Sequence, residues 1–431
     1  MTSKTMTRKR TQLGLSLVEL MVAMVIGLIV MIVVYQMFVV SEGTRRTSIA
    51  GNDAQMSAAI AMSALQDGIR NGGYGLTSFD SVNGVSPLGC RVRGFDARTG
   101  NSIMHDGVEG FPFAPVTIKQ GADNNAATGV GKDPDAITVV YSDLPYPTVP
   151  VNLLSGMTNT ANDLLVTNRF SVNPGDVLVV ADLKTRTTPT VGVLTGESGP
   201  GANVACSLTE ATGTPTSPPG PTTLATVRHV TGTYVDNNGN NKAVRFNGAG
   251  GVGSSSSTPA GVMYKTTGSV YNLGPNPAVV IFSVQNNQLM RNDLIANTNQ
   301  ALVDGVVSLQ AQYGVGLDTL DANGLPGTDG FADVFNPSAG QGAWKTTLNP
   351  ALASDAPGMV IAVRLAVLTR ANLIEAKDKT TGLCNATPAT SPELRWAGGT
   401  FDVTGTVDWD CYRYKKFEMV VPLRNIIWMP S

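Results

Sequence analysis

The chain opens with a polar segment followed by a long apolar one, and together these segments predict a membrane-spanning helix. Residues 1–13 carry basic side chains and no acidic one, and residues 15–40 contain a single charged side chain, Glu19. At about 1.5 Å per residue, a helix over residues 15–40 is long enough to cross a bilayer. Because basic flanks stay in the cytoplasm, the rest of the chain is expected on the far side of the membrane.

The next segment, residues 41–73, is more polar but keeps a helical period. Apolar pairs four residues apart, Met56 with Ile60 and Leu65 with Ile69, indicate an amphipathic helix with one buried face. A Gly-Gly pair at the end of the segment is a natural stop. We therefore expect one continuous helix of roughly 85 Å from the start of the apolar segment to this pair.

Beyond residue 74, short apolar runs bounded by Gly or Pro predict a β-rich domain. The Pro-rich residues 215–221 and the serines of 254–257 predict connectors or surface loops, and residues 236–240 predict a hairpin turn. The predicted strands are residues 136–141, 176–181, 226–230, 261–265, 278–284, 307–315, 360–368 and 417–423.

Composition favours an exported, loop-rich protein. The chain has 431 residues, of which 42% are hydrophobic and only 14% charged, and it contains 47 Gly and 25 Pro. The formal net charge of -2 gives no reason to expect general affinity for nucleic acid. This mixture suits a β protein outside the cytoplasm better than a helical enzyme.

The four cysteines predict disulfides rather than a zinc site. They stand at Cys90, Cys206, Cys384 and Cys411, and no two form the close pairs that zinc sites use. Four cysteines permit three connectivities. We expect Cys384 to pair with Cys411, because these two bracket a single hairpin-like stretch, and exported proteins favour such bonds.

Two ordinary interpretations of the N-terminus compete with a more specific one. A cleaved signal peptide has a shorter apolar core and a small-residue site after it, which this chain lacks. A simple signal anchor fits the length, and Glu19 would then lie close enough to the interface to reach water. A carboxylate in a membrane helix is nevertheless costly and usually marks a partnered, functional group.

Residues 14–19, Gly-Leu-Ser-Leu-Val-Glu, resemble the type IV prepilin cleavage signature. The resemblance implies that a prepilin peptidase cuts between Gly14 and Leu15 on the cytoplasmic side and that the new N-terminus at Leu15 is methylated. Glu19 would become the fifth residue of the mature chain. The new α-amino group is cationic at neutral pH, so a stagger between neighbouring helices would set Glu19 of one subunit against the amine of another.

Two further stretches are similar to minor pilins. Residues 70–75, Arg-Asn-Gly-Gly-Tyr-Gly, resemble a stretch at this place in large minor pilins, and the C-terminal residues 412–425 resemble the end of the PilW group. The resemblance implies an α+β, pilin-like fold, in which a long N-terminal transmembrane and amphipathic helix packs on a large, loop-rich β domain. The expected division is a leader over 1–14, a transmembrane part over 15–40, the amphipathic continuation over 41–73, and a globular domain over 74–431 that is long enough for sub-domains.

The sequence predicts no enzyme and no required cofactor. It contains two histidines and none of the common metalloprotease, serine hydrolase or phosphate-loop motifs. An acidic, Gly-rich loop holds oxygen ligands of the kind that Ca²⁺ prefers, but the EF-hand pattern is not met, and a solvated loop is the simpler interpretation. The candidate ligands are Asp318, Asp321, Asn323 and Asp329.

The leading functional hypothesis is a minor pilin that helps to initiate pilus assembly or to form a tip complex, supporting adhesion, twitching motility or DNA uptake. The implied partners are other minor pilins, the major pilin, the prepilin peptidase and a tip adhesin. The implied location is the bacterial inner membrane, with a single pass and a cytoplasmic N-terminus, and then the periplasm or the extracellular pilus. The alternatives are a minor pseudopilin of a type II secretion system and a membrane-anchored periplasmic binding module.

Overall fold

A long helix and a series of short strands build the molecule. The computed structural model describes residues 16–76, 88–124, 130–146, 149–168, 172–182, 206–213, 225–256, 259–316, 343–348, 360–375, 377, 381–382, 384 and 386–427. Helix α1 covers Leu17–Asn71, and a short second helix, α2, covers Arg424–Ile427. The long N-terminal helix and the strand-rich domain that follows it confirm the α+β prediction.

The strands are mostly short, as expected of a chain rich in turn residues. In chain order they are β1 (Arg91–Arg93), β2 (Phe95–Asp96), β3 (Asn101–Ser102), β4 (Met104–His105), β5 (Val108–Glu109), β6 (Phe111–Pro112), β7 (Val116–Lys119), β8 (Val130–Gly131), β9 (Ala136–Tyr141), β10 (Val151–Asn152), β11 (Leu164–Val166), β12 (Val177–Asp182), β13 (Cys206–Glu210), β14 (Ala225–Val227), β15 (Thr233–Val235), β16 (Asn241–Ala243), β17 (Gly268–Asn272), β18 (Ala278–Gln285), β19 (Gln288–Asp293), β20 (Thr298–Asp304), β21 (Val306–Val315), β22 (Ala343–Lys345), β23 (Val360–Arg370), β24 (Arg395–Trp396), β25 (Gly399–Phe401) and β26 (Tyr414–Pro422).

Two antiparallel sheets and α1 enclose the first hydrophobic core. One sheet has the strand order β20-β19-β18-β9-β7, and the other has the order β22-β21-β23-β26. Leu65 and Ile69 of α1, Val139 of β9 and Leu365 of β23 are all fully buried there. The second half of α1 is therefore the spine against which both sheets pack.

A six-stranded sheet lies beyond this core. Its order is β10-β17-β12-β13-β1-β6, and β1 runs parallel to β13 while its other pairs are antiparallel. Its apolar side chains form two more buried clusters. Val140 of β9 and Val279 of β18 belong to one of these clusters, so the sheet of the first core is covered on both faces at this point.

The C-terminal region adds a small core on the outer face of β23. Trp396, Phe401 and Tyr414 are buried there together with side chains of β23. The Arg364 guanidinium lies 4.6 Å from the ring centroid of Trp344 and 5.4 Å from that of Trp396. Stacking of this kind stabilises a charged group that is partly withdrawn from water.

Most of the predicted strands are present. Residues 136–141, 176–181, 278–284, 307–315, 360–368 and 417–423 correspond to β9, β12, β18, β21, β23 and β26. The hairpin turn between β15 and β16 is also confirmed, since Gly239 N–H donates to Asp236 O at 3.0 Å. The prediction for 226–230 holds only in part, because β14 ends at Val227.

Two predictions about loops and strands were wrong. Residues 261–265 form no strand: Gly261 has a φ of +71°, and the buried Tyr264 donates its hydroxyl to Ser207 Oγ at 2.6 Å. Ser254 and Ser255 are buried rather than part of a surface loop. In both cases irregular backbone packs inward and pairs with other backbone outside a regular ladder: Val262 N–H donates to Val252 O, Met157 N–H to Tyr264 O, and Ser254 N–H to Gly251 O. Residues 215–221 lie outside the described residues.

Candidate functional site: the N-terminal helix and its seat

The first part of α1 projects away from the domain. Leu17–Val39 has a mean hydropathy of 3.0, and none of it is buried in the molecule. It is the one helix among the described residues that is long and apolar enough, by length and composition, to cross a membrane. Glu19 lies in the first turn of α1 and is exposed. Gly14 and Leu15 lie outside the described residues, so their cleavage and methylation stay predictions.

The second part of α1 enters the domain at Ala54. The buried stripe continues through Ala58 and Ala61 to Leu65 and Ile69, with the spacing of one helix face. Three alanines in this stripe let strands approach the helix backbone closely. Thr369 Oγ1, on β23, donates to Ala54 O at 3.0 Å.

Only one of the two apolar pairs that predicted a buried face of α1 lies on that face. Leu65 and Ile69 are fully buried, but the side chains of Met56 and Ile60 are 62% and 48% exposed. The face that packs on the sheets carries alanines at this level, and large apolar residues would keep the strands too far away. Met56 and Ile60 instead share an exposed stripe with Ile49, which is 44% exposed and lies seven residues before Met56. The prediction for Met56 and Ile60 was wrong for that reason.

The end of α1 is held by the C-terminal end of the chain. The Asn425 side-chain amide lies 3.3, 3.2 and 3.1 Å from the carbonyl oxygens of Arg70, Asn71 and Gly72. These oxygens have no partner within a helix that stops there, and the amide donors satisfy them. The structure thus joins residues 70–75, which resemble large minor pilins, to residues 412–425, which resemble the PilW group.

Glycines allow the end of α1 to pack closely against the sheets. Gly73 has a φ of +81° and Gly75 a φ of +74°, which L side chains rarely adopt. A Cβ added at Gly75 would lie 2.5 Å from Ser142 Cβ. Gly68, one turn earlier, faces the Phe282 ring, and its Cβ would lie only 2.6 Å from that ring. The sequence marked residues 72–73 as a helix stop, but the close approach of Gly68 to β18 carried no sequence signal.

Both disulfides are formed. The predicted Cys384–Cys411 bond is present, and Cys90 pairs with Cys206. Cys384 and Cys411 lie near Asp410, in a group of potential metal ligands. Because both sulfurs are used in the disulfide, they offer no thiolates to a metal. Asp318, Asp321, Asn323 and Asp329 lie outside the described residues.

A Thr–His–Asp arrangement lies between β9 and the hairpin of β4 and β5. His105 Nε2 is 2.8 Å from Thr138 Oγ1, and His105 Nδ1 is 3.3 Å from Asp106 Oδ2. Burial lowers the pKa of His105, and the opposing effect of the nearby Asp106 carboxylate is smaller. Thr138 and His105 are only 3% and 5% exposed, and Nδ1 makes no hydrogen bond of good geometry. The contact between His105 and Thr138 therefore holds the hairpin on the sheet. The buried Thr138 hydroxyl is closed to a substrate.

Asp135 is a buried carboxyl that sequence reasoning missed. It accepts hydrogen bonds from the backbone N–H groups of Gly121 and Ala311 and from the side chains of Asn124 and Gln120. Burial, which outweighs these bonds, raises the pKa of Asp135 to about 6. The carboxyl joins the loop before β8 to β21, and its role in the fold depends on contacts remote in sequence.

Two family models match the chain. Residues 9–35 match the prokaryotic N-terminal methylation motif, and residues 271–425 match Type IV Pilus-assembly protein W. No curated protein and no solved structure matches the chain. The first match contains Gly14, Glu19 and most of the apolar segment. The second contains both sheets of the first core except β7 and β9, and it includes Asn425 at the seat of α1. The chain is therefore similar to prepilins at its N-terminus and to PilW over its last third, which is consistent with a PilW-like protein of the type IV pilus.

Proposed function

We propose that the chain is a minor pilin, cut after Gly14, methylated at Leu15 and incorporated through α1 into a type IV pilus. The observation that carries this proposal is the first part of α1, Leu17–Val39, which extends for about 34 Å with none of it buried in its own domain. A helix whose apolar surface is exposed all round must bury it in lipid or against other helices. Both environments are supplied when a pilin leaves the membrane for a filament.

Glu19 gives this helix a means of choosing its register. It is the only side chain between Leu17 and Val39 that is charged at neutral pH. An unpaired carboxylate is costly in an apolar surrounding, and an opposite charge offsets that cost. We propose that its partner is the amine at the processed N-terminus of a neighbouring subunit. That amine lies at the start of the neighbour's helix, as Glu19 lies at the start of this one.

The partners and location follow from this assembly. The chain begins in the bacterial inner membrane with its leader in the cytoplasm and its domain in the periplasm, and it later joins an extracellular pilus. Its partners are the prepilin peptidase, other minor pilins, the major pilin and a tip adhesin. Residues 88–270, outside the family match, form most of the six-stranded sheet and make the domain bulky. A bulky domain supports a place at the tip or in an initiating complex, where subunits need not repeat densely. From such a place the chain would act in adhesion, twitching motility or DNA uptake.

We also propose that the chain acts by assembly and not by catalysis, and without a required cofactor. The support is chemical: the Thr138–His105–Asp106 arrangement is closed to substrates, and the cysteines near Asp410 are oxidised to a disulfide. Calcium binding by Asp318 and its neighbours stays a prediction.

The test is mass spectrometry of the N-terminus of the full chain, purified from cells with and without the prepilin peptidase. We expect an N-terminus at Leu15, carrying one methyl group, only where the peptidase is present. Removing the small residue with Gly14→Leu is the matched control and should block cleavage in both strains. Retention of Met1 in both strains by the unaltered chain would contradict the proposal.

A further inference from the structure

One edge of the five-stranded sheet is less protected than the other sheet edges in the described part of the chain. Edge strands expose N–H and C=O groups that pair readily with another chain, and proteins normally protect them by making them short, charged, proline-bearing, bulged or covered. Edge strand β20 has seven residues, carries no Lys and no Pro, and has one charge, Asp304, at its end. Its first four residues, Thr298–Ala301, are exposed.

The other sheet edges in the described part of the chain are protected. Strands β6, β8, β10, β22 and β24 have two or three residues, and the two-stranded sheets are equally short. On the four-residue β7, the Ile118 N–H is bonded to the Tyr313 hydroxyl. The long β26 contains Pro422, and its Lys416 N–H donates to Glu393 Oε2 at 2.9 Å. Among the described edges β20 is thus the exception: its one irregularity is a β-bulge between Ala301 and Val303, and the residues before it form a regular ladder with β19.

The hydrogen-bond register shows which groups of β20 point outward. Gly305 N–H donates to Asn287 O, just before β19, whereas Leu294 N–H, just after β19, donates to β18. Because successive residues of an antiparallel strand bond to opposite sides, the odd-numbered residues of β19 face β20 and the even-numbered ones face β18. Asn299 and Ala301 oppose even-numbered residues of β19. Their N–H and C=O groups therefore point out of the sheet.

This edge adjoins the exposed side of α1. A Cβ added at Gly305, which follows β20, would lie 3.7 Å from Ser57 Oγ. Ser57 is next to Met56 and one turn before Ile60, the two exposed apolar side chains of the helix. A subunit that packs against this side of α1 is thereby brought to the end of β20.

We propose that the outer edge of β20 accepts an extended strand from another subunit of the pilus complex, which adds to the five-stranded sheet. The outward N–H and C=O groups of Asn299 and Ala301 require an extended main chain, since only a strand pairs with such a row at this spacing. The neutral side chains of Thr298–Ala301 fit a strand with few charges. This proposal rests on the proposed role as a pilus subunit and names the surface by which it binds its partner.

The experiment compares Asn299→Pro and Ala301→Pro with Asn299→Ala in the full-length chain. Proline removes an outward N–H and keeps the ladder to β19, whereas alanine changes only the side chain. We expect both proline variants to recover other pilus subunits from detergent-solubilised membranes at least about tenfold less well than the unaltered chain, and Asn299→Ala within about twofold. The amount of each variant in sheared pili, relative to membranes, is the second readout.

Hydrogen exchange of the unaltered chain keeps the test independent of how the proline variants fold. The amide hydrogens of Asn299 and Ala301 should exchange rapidly in the isolated chain in detergent and be protected in the complex with other pilus subunits. Unprotected amides in that complex would overturn the proposal, as would proline variants that bind normally, or protection by a second copy of this chain. If the unaltered chain never enters pili, the proposed function fails and this inference with it. If the unaltered chain and the proline variants enter equally, only this inference fails.

Discussion

At the level of single residues, two carboxyl groups behave in opposite ways because their surroundings differ. Glu19 is exposed on a projecting helix, with no side-chain partner among the described residues, and Asp135 is buried among four hydrogen-bond donors. A buried carboxyl that is surrounded by donors serves the fold. A lone carboxyl on an apolar helix needs a partner from another molecule.

We expect Glu19→Ala to leave membrane insertion intact and to reduce incorporation into pili by about tenfold or more, because the charge pair that sets the register is lost. Gln36→Ala changes another polar residue of the same apolar segment and is the matched control. The measurement is the ratio of chain in sheared pili to chain in membranes. Equal ratios for the two variants would show that the carboxylate is not needed.

Asp135 should make the stability of the domain depend on pH. Its pKa is raised to about 6, so the folded state holds the proton more tightly than the unfolded state does. The contribution of Asp135 to the stability of the folded domain is therefore favourable at low pH and is lost as the pH rises from about 4 through about 6. The free energy of unfolding of the unaltered chain, relative to Asp135→Asn, should fall by about 2 kcal/mol between pH 4 and pH 7. Denaturant unfolding at several pH values measures this, and a pH-independent difference would disagree.

At the level of elements, α1 is one helix with two kinds of surface. Its first part is apolar all round, and its second part offers a narrow stripe of alanine, leucine and isoleucine to the sheets. The second part of α1 packs on the sheets only because small residues let the strands approach the helix backbone closely. Asn425 then caps the end of α1 from the opposite end of the chain.

Two glycines of α1 should respond oppositely to substitution by alanine. Gly68→Ala would place a Cβ 2.6 Å from the Phe282 ring, and we expect it to destabilise the domain by about 1–3 kcal/mol through overpacking. Gly51→Ala meets nothing within 4 Å and should be neutral or stabilise the helix by up to about 1 kcal/mol. Urea unfolding of the full chain in detergent measures both. Equal effects of the two substitutions would contradict the close contact with β18.

At the level of the whole molecule, two disulfides close loops of very different length. Cys90 and Cys206 are separated by 116 residues, and Cys384 and Cys411 by 27. A cross-link limits the unfolded chain more when its loop is longer. The long loop contains four strands of the six-stranded sheet, β1, β6, β10 and β12, all of which lie outside the match to the PilW family.

Replacing both cysteines of one pair by serine should therefore cost more for the long loop. We expect the Cys90/Cys206 variant to lose about 1 kcal/mol more stability than the Cys384/Cys411 variant, on the chain-entropy account. Comparison of the two thermal midpoints, each against the unaltered chain, checks the order. A larger loss for the short loop would mean that local contacts near Asp410 dominate.

Sequence patterns alone were sufficient for the long apolar helix, the helix end at Asn71, most of the long strands and the Cys384–Cys411 pair. These features depend on neighbours in the chain or on a period that repeats within one element. The Gly14–Glu19 motif is equally local, which is why it pointed to a family before any fold was known.

Folding determined the features that join distant residues. Which face of α1 is buried depended on how closely the sheets approach, so Met56 and Ile60 are exposed while Ala54 is buried. The Asn425 cap, the burial of Asp135 and the open edge of β20 likewise depend on packing and strand order. Hydrophobic periodicity carries no information on these contacts, because each is made by residues that are far apart in the chain and near only in space.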